Sequence, residues 1–296
     1  MSNNQAIEID LLTGPIPVPT LVDQLPVDKK IDLYGGLGHV TLVDMMPRMI
    51  PAGRTADIAI ARNARVSYAL GDKTIADDTR LINYLMENRH TSPFESVEFQ
   101  FRIRLPIFVQ RQLIRHRTAG VNEESFRYIQ PRDDIYFPPL RMQSANNKQG
   151  SDDKKEVPVD AIQVWNSVKV RAQEMYQLYT ELVRLGVARE VARVCLPVNM
   201  MTELMWKIDL HNLLHFLQLR LHPHAQKEIQ DLAAAMLELI RPLVPVSVEA
   251  FDIYRLKSIS FSGLEVRALH DRTVEQLGEK RMKSIEDKIS MIFHKQ

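Results

Sequence analysis

Apolar and polar residues alternate strictly along residues 97–105, the clearest local pattern in the chain. The apolar members are Val97, Phe99, Phe101, Ile103 and Leu105. Successive side chains of a β-strand point to opposite faces, so a period of two places all these apolar groups on one face. We therefore predict a strand here with one buried face, and a second, shorter strand over residues 39–46.

Apolar residues at helical spacing dominate most of the remaining chain. They predict helices over residues 55–68, 77–88, 159–185, 210–221 and 223–240. Asp209 is a suitable N-cap for the fourth helix, and Gly186 is a suitable end for the third. The third helix carries an apolar stripe that we expect to be buried, formed by Ile162, Trp165, Val168, Ala172, Met175, Leu178 and Leu182.

Shorter segments complete the pattern. Residues 190–195 predict a short helix that ends before Pro197. Residues 198–208 carry apolar side chains on one parity, which favours a strand, although their methionines and leucines also suit a helix. Pro106 suits the first turn of a helix, so the 97–105 strand is predicted to lead directly into an arginine-rich helix.

These elements predict a fold of the α/β or α+β class, in which helices flank a sheet that contains the 97–105 strand. Residues 1–38, with several prolines and a glycine-rich end, are predicted to be an N-terminal extension. Residues 39–254 would form the main domain, with a flexible, polar loop over residues 138–158. Residues 255–296 are charged and weakly amphipathic, and are predicted to be a helical C-terminal extension.

Composition narrows the class of protein. The chain has 296 residues, 45% of them hydrophobic, and its 38 basic residues balance 37 acidic ones, so we expect no nucleic-acid partner. The single cysteine, Cys195, excludes an intrachain disulfide and fits a reducing compartment. Since no apolar run reaches the roughly 18 residues of a membrane span, we expect a cytoplasmic protein without membrane contact.

Charged and polar side chains are concentrated in residues 110–128, QRQLIRHRTAGVNEESFRY. If the first half of this segment is helical, Arg111 and Arg115 lie on one face and repel each other by about 0.2–0.5 kcal/mol. An anionic ligand is expected to compensate this repulsion. The simpler alternative is a solvated basic surface, because cations are favoured at any helix C-terminus.

The second half of the same segment predicts how the arginines would meet. Residues 122–124 are typical of a turn, and residues 125–128 are predicted to be extended. Such a turn would bring Arg127 back towards Arg115 and Arg117. Guanidinium groups arranged in this way would suit a phosphate, because each presents several donors in one plane.

The order of residues here resembles a known signature. Arg115-His116-Arg117 is followed after seven residues by Ser125, and then by Arg127-Tyr128. This is similar to the R-H-R-x7-S signature of the flavin-dependent thymidylate synthases. Other segments resemble family segments in the family's order: residues 64–68, 90–95, 106–109, 189–193 and 219–226. The resemblance covers roughly residues 40–254.

The resemblance implies an enzyme with a fold like that of thymidylate synthase complementing proteins, and a catalytic domain at residues 39–254. The implied reaction is reductive methylation of dUMP to dTMP. The methylene group would come from 5,10-methylenetetrahydrofolate, and the reducing equivalents would pass from NADPH through bound FAD. A homotetramer whose active sites are shared between subunits is also implied by the resemblance and by no pattern in the sequence.

The same resemblance implies roles for individual residues. The dUMP-binding residues would be Gln112, Arg115, Glu124, Ser125, Arg127, Arg193 and Arg220. The FAD-binding residues would be Ser67, His90, Arg115, His116, Arg117, Glu123, Asp209, His211, His215 and His224. Arg220 is also implied as the catalytic residue at the uracil edge, where a fixed cation stabilises negative charge on the pyrimidine.

A metal-dependent hydrolase is one alternative. His211 and His215 have the spacing of metal ligands, and His222, His224 and Glu228 lie close behind them. However, the segment H-N-L-L-H lacks the glutamate that acts as the base in H-E-x-x-H. We therefore predict no metal site.

Two further alternatives use other features. A non-catalytic nucleotide-binding protein would need only the arginines. A synthase with a cysteine nucleophile would have to use Cys195, whose neighbours in A-R-V-C-L-P are mostly apolar. Burial there would raise the pKa of the thiol and leave it inert, so we expect Cys195 to have a packing role.

Overall fold

The computed structural model describes residues 29–67, 71–145 and 150–268. Its strands are β1 (Lys30–Leu33), β2 (Gly38–Met46), β3 (Glu98–Pro106), β4 (Gly120–Glu123), β5 (Met142–Gln143), β6 (Ser151–Asp152) and β7 (Met201–Asp209). Its α-helices are α1 (Asp57–Val66), α2 (Ile75–Glu87), α3 (Ile107–Leu113), α4 (Val159–Arg184), α5 (Arg189–Ala192), α6 (Leu210–Arg220), α7 (Lys227–Ile240) and α8 (Pro245–Phe251). Short 3-10 turns lie at Tyr34–Gly36, Ser92–Ser96 and Arg193–Cys195.

The central element is a five-stranded antiparallel sheet with the strand order β1-β2-β3-β7-β4. Strand β3 pairs with β2 on one side and along its whole length with β7 on the other, from Glu98 opposite Asp209 to Pro106 opposite Met201. The alternation that predicted β3 is confirmed, because all five apolar residues of that pattern are 0% exposed. The predicted class, a sheet flanked by helices, is confirmed as well.

The two faces of the sheet differ in chemistry. Helices α6 and α7 pack on the apolar face and bury most of their own apolar side chains there. The opposite face carries polar side chains around a cleft of about 770 Å³, among them His39, Arg102, Arg104 and Glu203. Arg104 is buried and pairs with Asp134 at 2.7 Å. Functional residues can therefore lie on either of two chemically different faces of the sheet.

Strands β1 and β7 refine the predicted pattern. Residues 30–33 were predicted to belong to the N-terminal extension, but Ile31 pairs with Val40 and the segment forms the edge strand β1. Its four residues are too few to reveal a period of two. For residues 198–208 the strand alternative is confirmed over β7, since Leu204 and Trp206 face the core and are no more than 2% exposed.

Helix α4 has the predicted bounds, but its predicted burial is wrong. Of its residues only Ala172 and Tyr179 are buried, whereas Ile162, Val168 and Leu178 from the predicted stripe are exposed. The helix packs on α5, on the 193–195 turn and on a small cluster that contains Ile135 and Met200. Amphipathic spacing indicates an apolar face but not that the same chain covers it.

Asp57 joins α1 to the start of α8. Its carboxylate is 4% exposed and accepts hydrogen bonds from the backbone N–H groups of Val246 and Ser247, both at 3.0 Å. The hydroxyls of Ser247 and Thr55 also donate to it, at 2.6 and 2.9 Å. Burial raises the pKa of Asp57, and these donors oppose that shift. One carboxylate thus caps a helix that lies 189 residues away in sequence.

The predicted loop at residues 138–158 contains a small hairpin, in which Met142 pairs with Asp152. By its internal contacts the chain divides after Arg255 into a large unit and a second unit, of which residues 256–268 are described. Most of the predicted N-terminal extension, residues 1–28, and residues 269–296 of the predicted C-terminal extension lie outside the described residues. No helix in the described ranges is long and apolar enough to cross a membrane.

Candidate functional site

The signature segment folds differently from its local prediction. Helix α3 ends at Leu113, so Arg115 lies in the turn after the helix and does not share a helical face with Arg111. Asn122 and Glu123, predicted as part of a turn, belong to strand β4, and Glu124 follows directly after it. Of residues 125–128, predicted as extended, residues 126–128 form a turn. Pairing of β4 with β7 explains the difference, because cross-strand contacts override the local preferences of glycine and asparagine.

Strand β4 places Glu123 and Glu124 on opposite faces of the sheet. Glu123 lies opposite Leu204, on the apolar face, and accepts hydrogen bonds from Gln110 at 2.9 Å and Thr202 at 2.7 Å. Glu124 instead accepts from the backbone N–H of Glu203 at 3.0 Å, on the polar face. Burial raises the pKa of Glu124. Both carboxylates thus have protein partners.

The turn after β4 contacts helix α5. Arg127 forms an ion pair with Glu190 at 3.2 Å, and its backbone N–H donates to the hydroxyl of Ser125 at 3.3 Å. Arg189 donates to the carbonyl of Tyr128 at 3.0 Å and holds the turn against α5. Arg193 follows Glu190 by three residues, at the start of the next turn. Ser125, Arg127 and Arg193, three predicted dUMP residues, are thus brought to one region, which we call the arginine surface.

Two other signature arginines project outwards. Arg115 and Arg117 are exposed, and neither side chain has a hydrogen-bond or ion-pair partner within residues 29–67, 71–145 and 150–268. Ser67, a predicted flavin residue, is also exposed at the end of α1. An anion that binds these unpaired guanidinium groups does not first have to displace an ion-pair partner.

Arg220 and His116 form the closest contact between predicted site residues. The Nε–H of Arg220, at the end of α6, donates to Nε2 of His116 at 3.1 Å. Its Nη2–H donates to the carbonyl of Gln112 at 3.4 Å. The side-chain amide of Gln112 in turn donates to Gln226 at 2.5 Å. These contacts fix the plane of the Arg220 guanidinium, and burial lowers its pKa.

His116 is held neutral. Burial, and next the charge of Arg220, lower the pKa of His116 from 6.5 to about 4. Its ring contacts Phe216 edge-on, with ring centres 4.9 Å apart. Because Nε2 accepts from Arg220, the neutral ring carries its proton on Nδ1. His116 is therefore an acceptor for the arginine and not a second cation.

A cleft of about 200 Å³ adjoins this contact, and we call it the histidine cleft. His90, His211 and His215, three predicted flavin residues, line it, and the ring of His215 lies 6.2 Å from that of His116. Its apolar wall consists of Leu85, Met86, Phe94, Leu214 and Phe251. The sequence analysis missed two further lining residues, Arg89 and Arg255, because no motif contains them.

The structure gives other positions to the last two predicted flavin residues. Asp209 caps α6, and its two carboxylate oxygens accept from the backbone and side-chain N–H groups of Asn212 at 2.9 and 2.7 Å. His224 lies after α6 and outside the histidine cleft, with its ring 4.7 Å from that of His222. Only the capping role of Asp209 was visible in the sequence as a local feature.

The histidines give no support to the metal-hydrolase alternative. Within the part of the chain that the structure describes, no group of three or more potential ligands is arranged to hold a metal ion. Glu228, 2% exposed, is already bound by Arg141 at 2.7 and 2.9 Å and by Gln226 at 2.9 Å. A carboxylate so occupied is not available as a ligand.

Cys195 is half-buried, whereas its apolar neighbours in the sequence predicted burial. Its thiol donates to the carbonyl of Ala192 at 3.1 Å. Among the described residues no side-chain base contacts it. Cys195 lies in the turn between α5 and β7.

The chain is similar to known proteins along most of its length. The family model for thymidylate synthase complementing proteins matches residues 44–246. A flavin-dependent thymidylate synthase of Dictyostelium discoideum is 45% identical over 94% of this chain and 98% of its own length. One from Thermus thermophilus is 42% identical over 93% of this chain and 92% of its own.

A solved structure is similar as well. The UMP/dUMP methylase PolB of Streptomyces cacaoi, crystallised with 5-Br UMP, is 33% identical, with a TM-score of 0.63 over 75% of this chain and 96% of its own. The residues matched by the family model include the signature segment and Arg220. The chain therefore belongs to the thymidylate synthase complementing protein family, the family of the flavin-dependent thymidylate synthases.

Proposed function

We propose that this protein is an FAD-dependent thymidylate synthase that methylates dUMP to dTMP. The observation that carries the proposal is the contact between Arg220 and His116. It joins the predicted catalytic cation to the middle residue of the signature at 3.1 Å, although 104 residues separate them. The family relationship supports the same reaction.

Arg220 supplies electrostatic stabilisation in this proposal. The donors that point to His116 and Gln112 orient its guanidinium, and within the described chain its other N–H groups have no partner. They are free to face the uracil edge, where negative charge develops as the pyrimidine becomes electron-rich. Because His116 is neutral, it holds the arginine without competing for that charge.

The histidine cleft fits part of an FAD molecule. Its apolar wall suits a flat aromatic ring, and its histidines and arginines suit phosphate oxygens. Its volume of about 200 Å³ is below the roughly 300–1,000 Å³ of a site that encloses a whole ligand of drug size. The exposed Arg115 and Arg117 are proposed to hold other parts of the cofactor. When bound, FAD supplies hydride transfer to the transferred one-carbon group.

The arginine surface is the proposed phosphate end of the dUMP site. Arg127 and Arg193 are exposed there, and the carboxylate partner of Arg127 is exposed too, so an incoming phosphate exchanges a weak surface ion pair for a stronger contact. Ser125 provides a hydroxyl beside them. The other proposed dUMP residues are Gln112, Arg115, Glu124 and Arg220.

We also propose a homotetramer with shared active sites. Within the described residues, no hydrogen bond, ion pair or ring contact joins the arginine surface to the Arg220 contact. Helix α4 exposes apolar side chains, including Val164 and Val170, that suit burial in an interface. A second subunit that supplies the missing half of each site accounts for both observations.

The proposed co-substrates are 5,10-methylenetetrahydrofolate as one-carbon donor and NADPH as reductant. In this proposal the folate would supply the one-carbon group at uracil C5, and NADPH would supply the reducing equivalents that convert it to a methyl group. The single cysteine suits a reducing compartment, and cytoplasmic location is part of the proposal.

Flavin content and dUMP-dependent turnover test this proposal. We expect purified protein to release FAD on denaturation, to oxidise NADPH faster with dUMP present, and to form dTMP when methylenetetrahydrofolate is added. The Arg220→Ala variant serves as the inactive control. Protein that forms dTMP but cannot be loaded with FAD would contradict the mechanism. FAD-free protein that binds dUMP and forms no dTMP would favour the non-catalytic alternative.

Cys195→Ala separates the flavin mechanism from one with a cysteine nucleophile. We expect most dTMP synthesis to remain, because hydride transfer from a flavin needs no protein nucleophile. A stability loss of roughly 1 kcal/mol is expected from the shortened side chain, so rates are normalised to folded, FAD-bound enzyme. A folded variant that binds FAD and dUMP but forms no dTMP would assign the nucleophile to Cys195.

A further inference from the structure

Glu228 is a buried carboxylate to which the proposed reaction gives no role. It lies in the first turn of α7, is 2% exposed and pairs with Arg141, whose Nη2–H groups donate to the two carboxylate oxygens at 2.7 and 2.9 Å. The hydroxyl of Tyr34 donates to the backbone carbonyl of Glu228 at 3.1 Å. A buried carboxylate is costly unless it is well hydrogen-bonded. Its other donor among the described residues is the side chain of Gln226.

The amide of Gln226 can take only one orientation. A carboxylate that pairs with an arginine offers acceptors alone, so Gln226 turns its NH2 group to Glu228, at 2.9 Å. Its carbonyl oxygen then accepts from the side-chain NH2 group of Gln112 at 2.5 Å. Within the described ranges, the carbonyl oxygen and second N–H of the Gln112 amide have no partner. One carboxylate thus fixes the direction of two amides in series.

Gln112 lies beside two other residues of the proposed dUMP site. Its backbone carbonyl accepts from the Nη2–H of Arg220 at 3.4 Å and from the backbone N–H of Arg115 at 3.3 Å. A glutamine side chain that is not held in place loses rotamer freedom when a ligand orders it, and this loss opposes binding. A side chain that the protein already holds avoids that loss.

We propose that Gln226, oriented by Glu228, is a positioning residue for dUMP. It holds the side-chain amide of Gln112 so that the carbonyl oxygen and the second N–H of that amide are presented to the nucleotide. Gln112 is assigned to the dUMP site by the proposed function, on which this inference rests. Gln226 does not touch dUMP in this arrangement and acts through Gln112. Its side chain is exposed, so the packing of the core does not require it.

Gln226→Met removes both hydrogen bonds and keeps the length of the side chain. We expect the Kd for dUMP, measured by calorimetry on the FAD-bound enzyme, to rise about three- to tenfold, the effect of one lost neutral hydrogen bond. The KM for dUMP should rise in step, whereas kcat, FAD content and melting temperature should change much less. Glu238→Gln, at an exposed ion pair on the same helix, is the control and should leave the Kd unchanged.

A double-mutant cycle shows whether Gln226 acts through Gln112. In the Gln112→Met background, Gln226→Met should weaken dUMP binding no further, because the amide that Gln226 holds is already gone. Glu228→Gln tests the carboxylate, since an amide there can donate as well as accept and no longer fixes the direction of the series. The Kd for dUMP should then rise as it does in Gln226→Met. If Glu228→Gln does not fold, the cycle between Gln226 and Gln112 decides.

Three results would overturn the inference. They are a wild-type Kd for dUMP in Gln226→Met, losses from Gln226→Met and Gln112→Met that multiply in the double variant, and a wild-type Kd in folded Glu228→Gln. Each is read against wild-type enzyme that binds FAD and dUMP. A wild type that binds neither would instead contradict the proposed function.

Discussion

Arg220 divides its donors between the protein and the proposed substrate. Its Nε–H and one Nη–H hold His116 and the Gln112 carbonyl, which leaves the rest of the planar group pointing in a fixed direction. A lysine has one compact ammonium group and cannot make both contacts while it also faces a ligand. The geometry, more than the charge, is therefore expected to matter for turnover.

We expect Arg220→Lys to fold and to bind FAD but to lower kcat by about 100-fold, the usual effect of removing one preorganised donor. Steady-state dTMP formation at saturating dUMP measures this loss. Arg241→Lys, at an exposed ion pair with Asp252, is the matched control and should retain full activity. Turnover near the wild-type rate in Arg220→Lys would remove Arg220 from its proposed role.

The contact between His116 and Arg220 also makes the stability of the fold depend on pH in the acidic range. The pKa of His116 is about 4 in the folded protein against 6.5 ordinarily, so between these values the unfolded chain binds a proton that the folded chain does not. The free energy of unfolding should therefore fall as the pH falls from 6.5 to about 4, and this contribution should level off below that pH.

The variant His116→Gln keeps an acceptor for Arg220 but does not titrate. We expect it to reduce the loss of stability between pH 6.5 and pH 4 by about 1–2 kcal/mol, a value discounted for the half-exposed position of the ring. Urea unfolding at several pH values measures the difference. The wild type is measured in parallel as the reference. A dependence of stability on pH that is the same in His116→Gln as in the wild type would contradict the assignment.

At the scale of elements, Asp57 shows how one residue joins two helices. We expect Asp57→Asn to lower the free energy of unfolding by about 2–4 kcal/mol, because an amide donor would face the N–H and hydroxyl donors that the carboxylate now satisfies. Asp77→Asn, in the exposed capping box of α2, is the control and should cost about 1 kcal/mol. Equal losses would show that burial of Asp57 adds nothing to its capping role.

How far the sequence predicts these elements depends on where their partners lie. The strand β3 and helices α6 and α7 were predicted well because burial against the main core imposes a regular period on each. Strand β4 was predicted as a turn because its partner, β7, follows about 80 residues later and leaves no local trace. The exposure of the apolar face of α4 could not be predicted, because its apolar residues have the same spacing as those of a buried helix.

The candidate site was predictable in part for the same reason. The resemblance named His116 and Arg220 individually, and the structure brings them into contact through the end of α6. It could not reveal that Glu123 and Glu124 lie on opposite faces, because that depends on the pairing of β4.

At the scale of the whole molecule, the separation of the arginine surface from the Arg220 contact predicts complementation. Each variant alone should have very low activity. Arg127→Ala loses about 2–4 kcal/mol of dUMP binding, and Arg220→Ala loses the proposed catalytic cation. If each site takes Arg127 and Arg220 from different chains, an equal mixture of the two variants should recover about a quarter of the wild-type activity. Random assembly gives about one site in four an intact copy of both residues.

Subunit exchange must be shown independently, by mass spectrometry of mixed oligomers that carry different tags. Each variant mixed with itself is the control and should stay inactive. Mixed oligomers that form but remain inactive would contradict the shared site.

The placement of β4 also gives a physical meaning to the seven residues between Arg117 and Ser125. Successive side chains of a strand point to opposite faces of the sheet, and here Glu123 points to the face covered by helices and Glu124 to the open face. Insertion of a single residue would exchange these sides for everything that follows, whereas an insertion of two would restore them. Changes in the length of this interval are therefore tolerated, if at all, only in pairs.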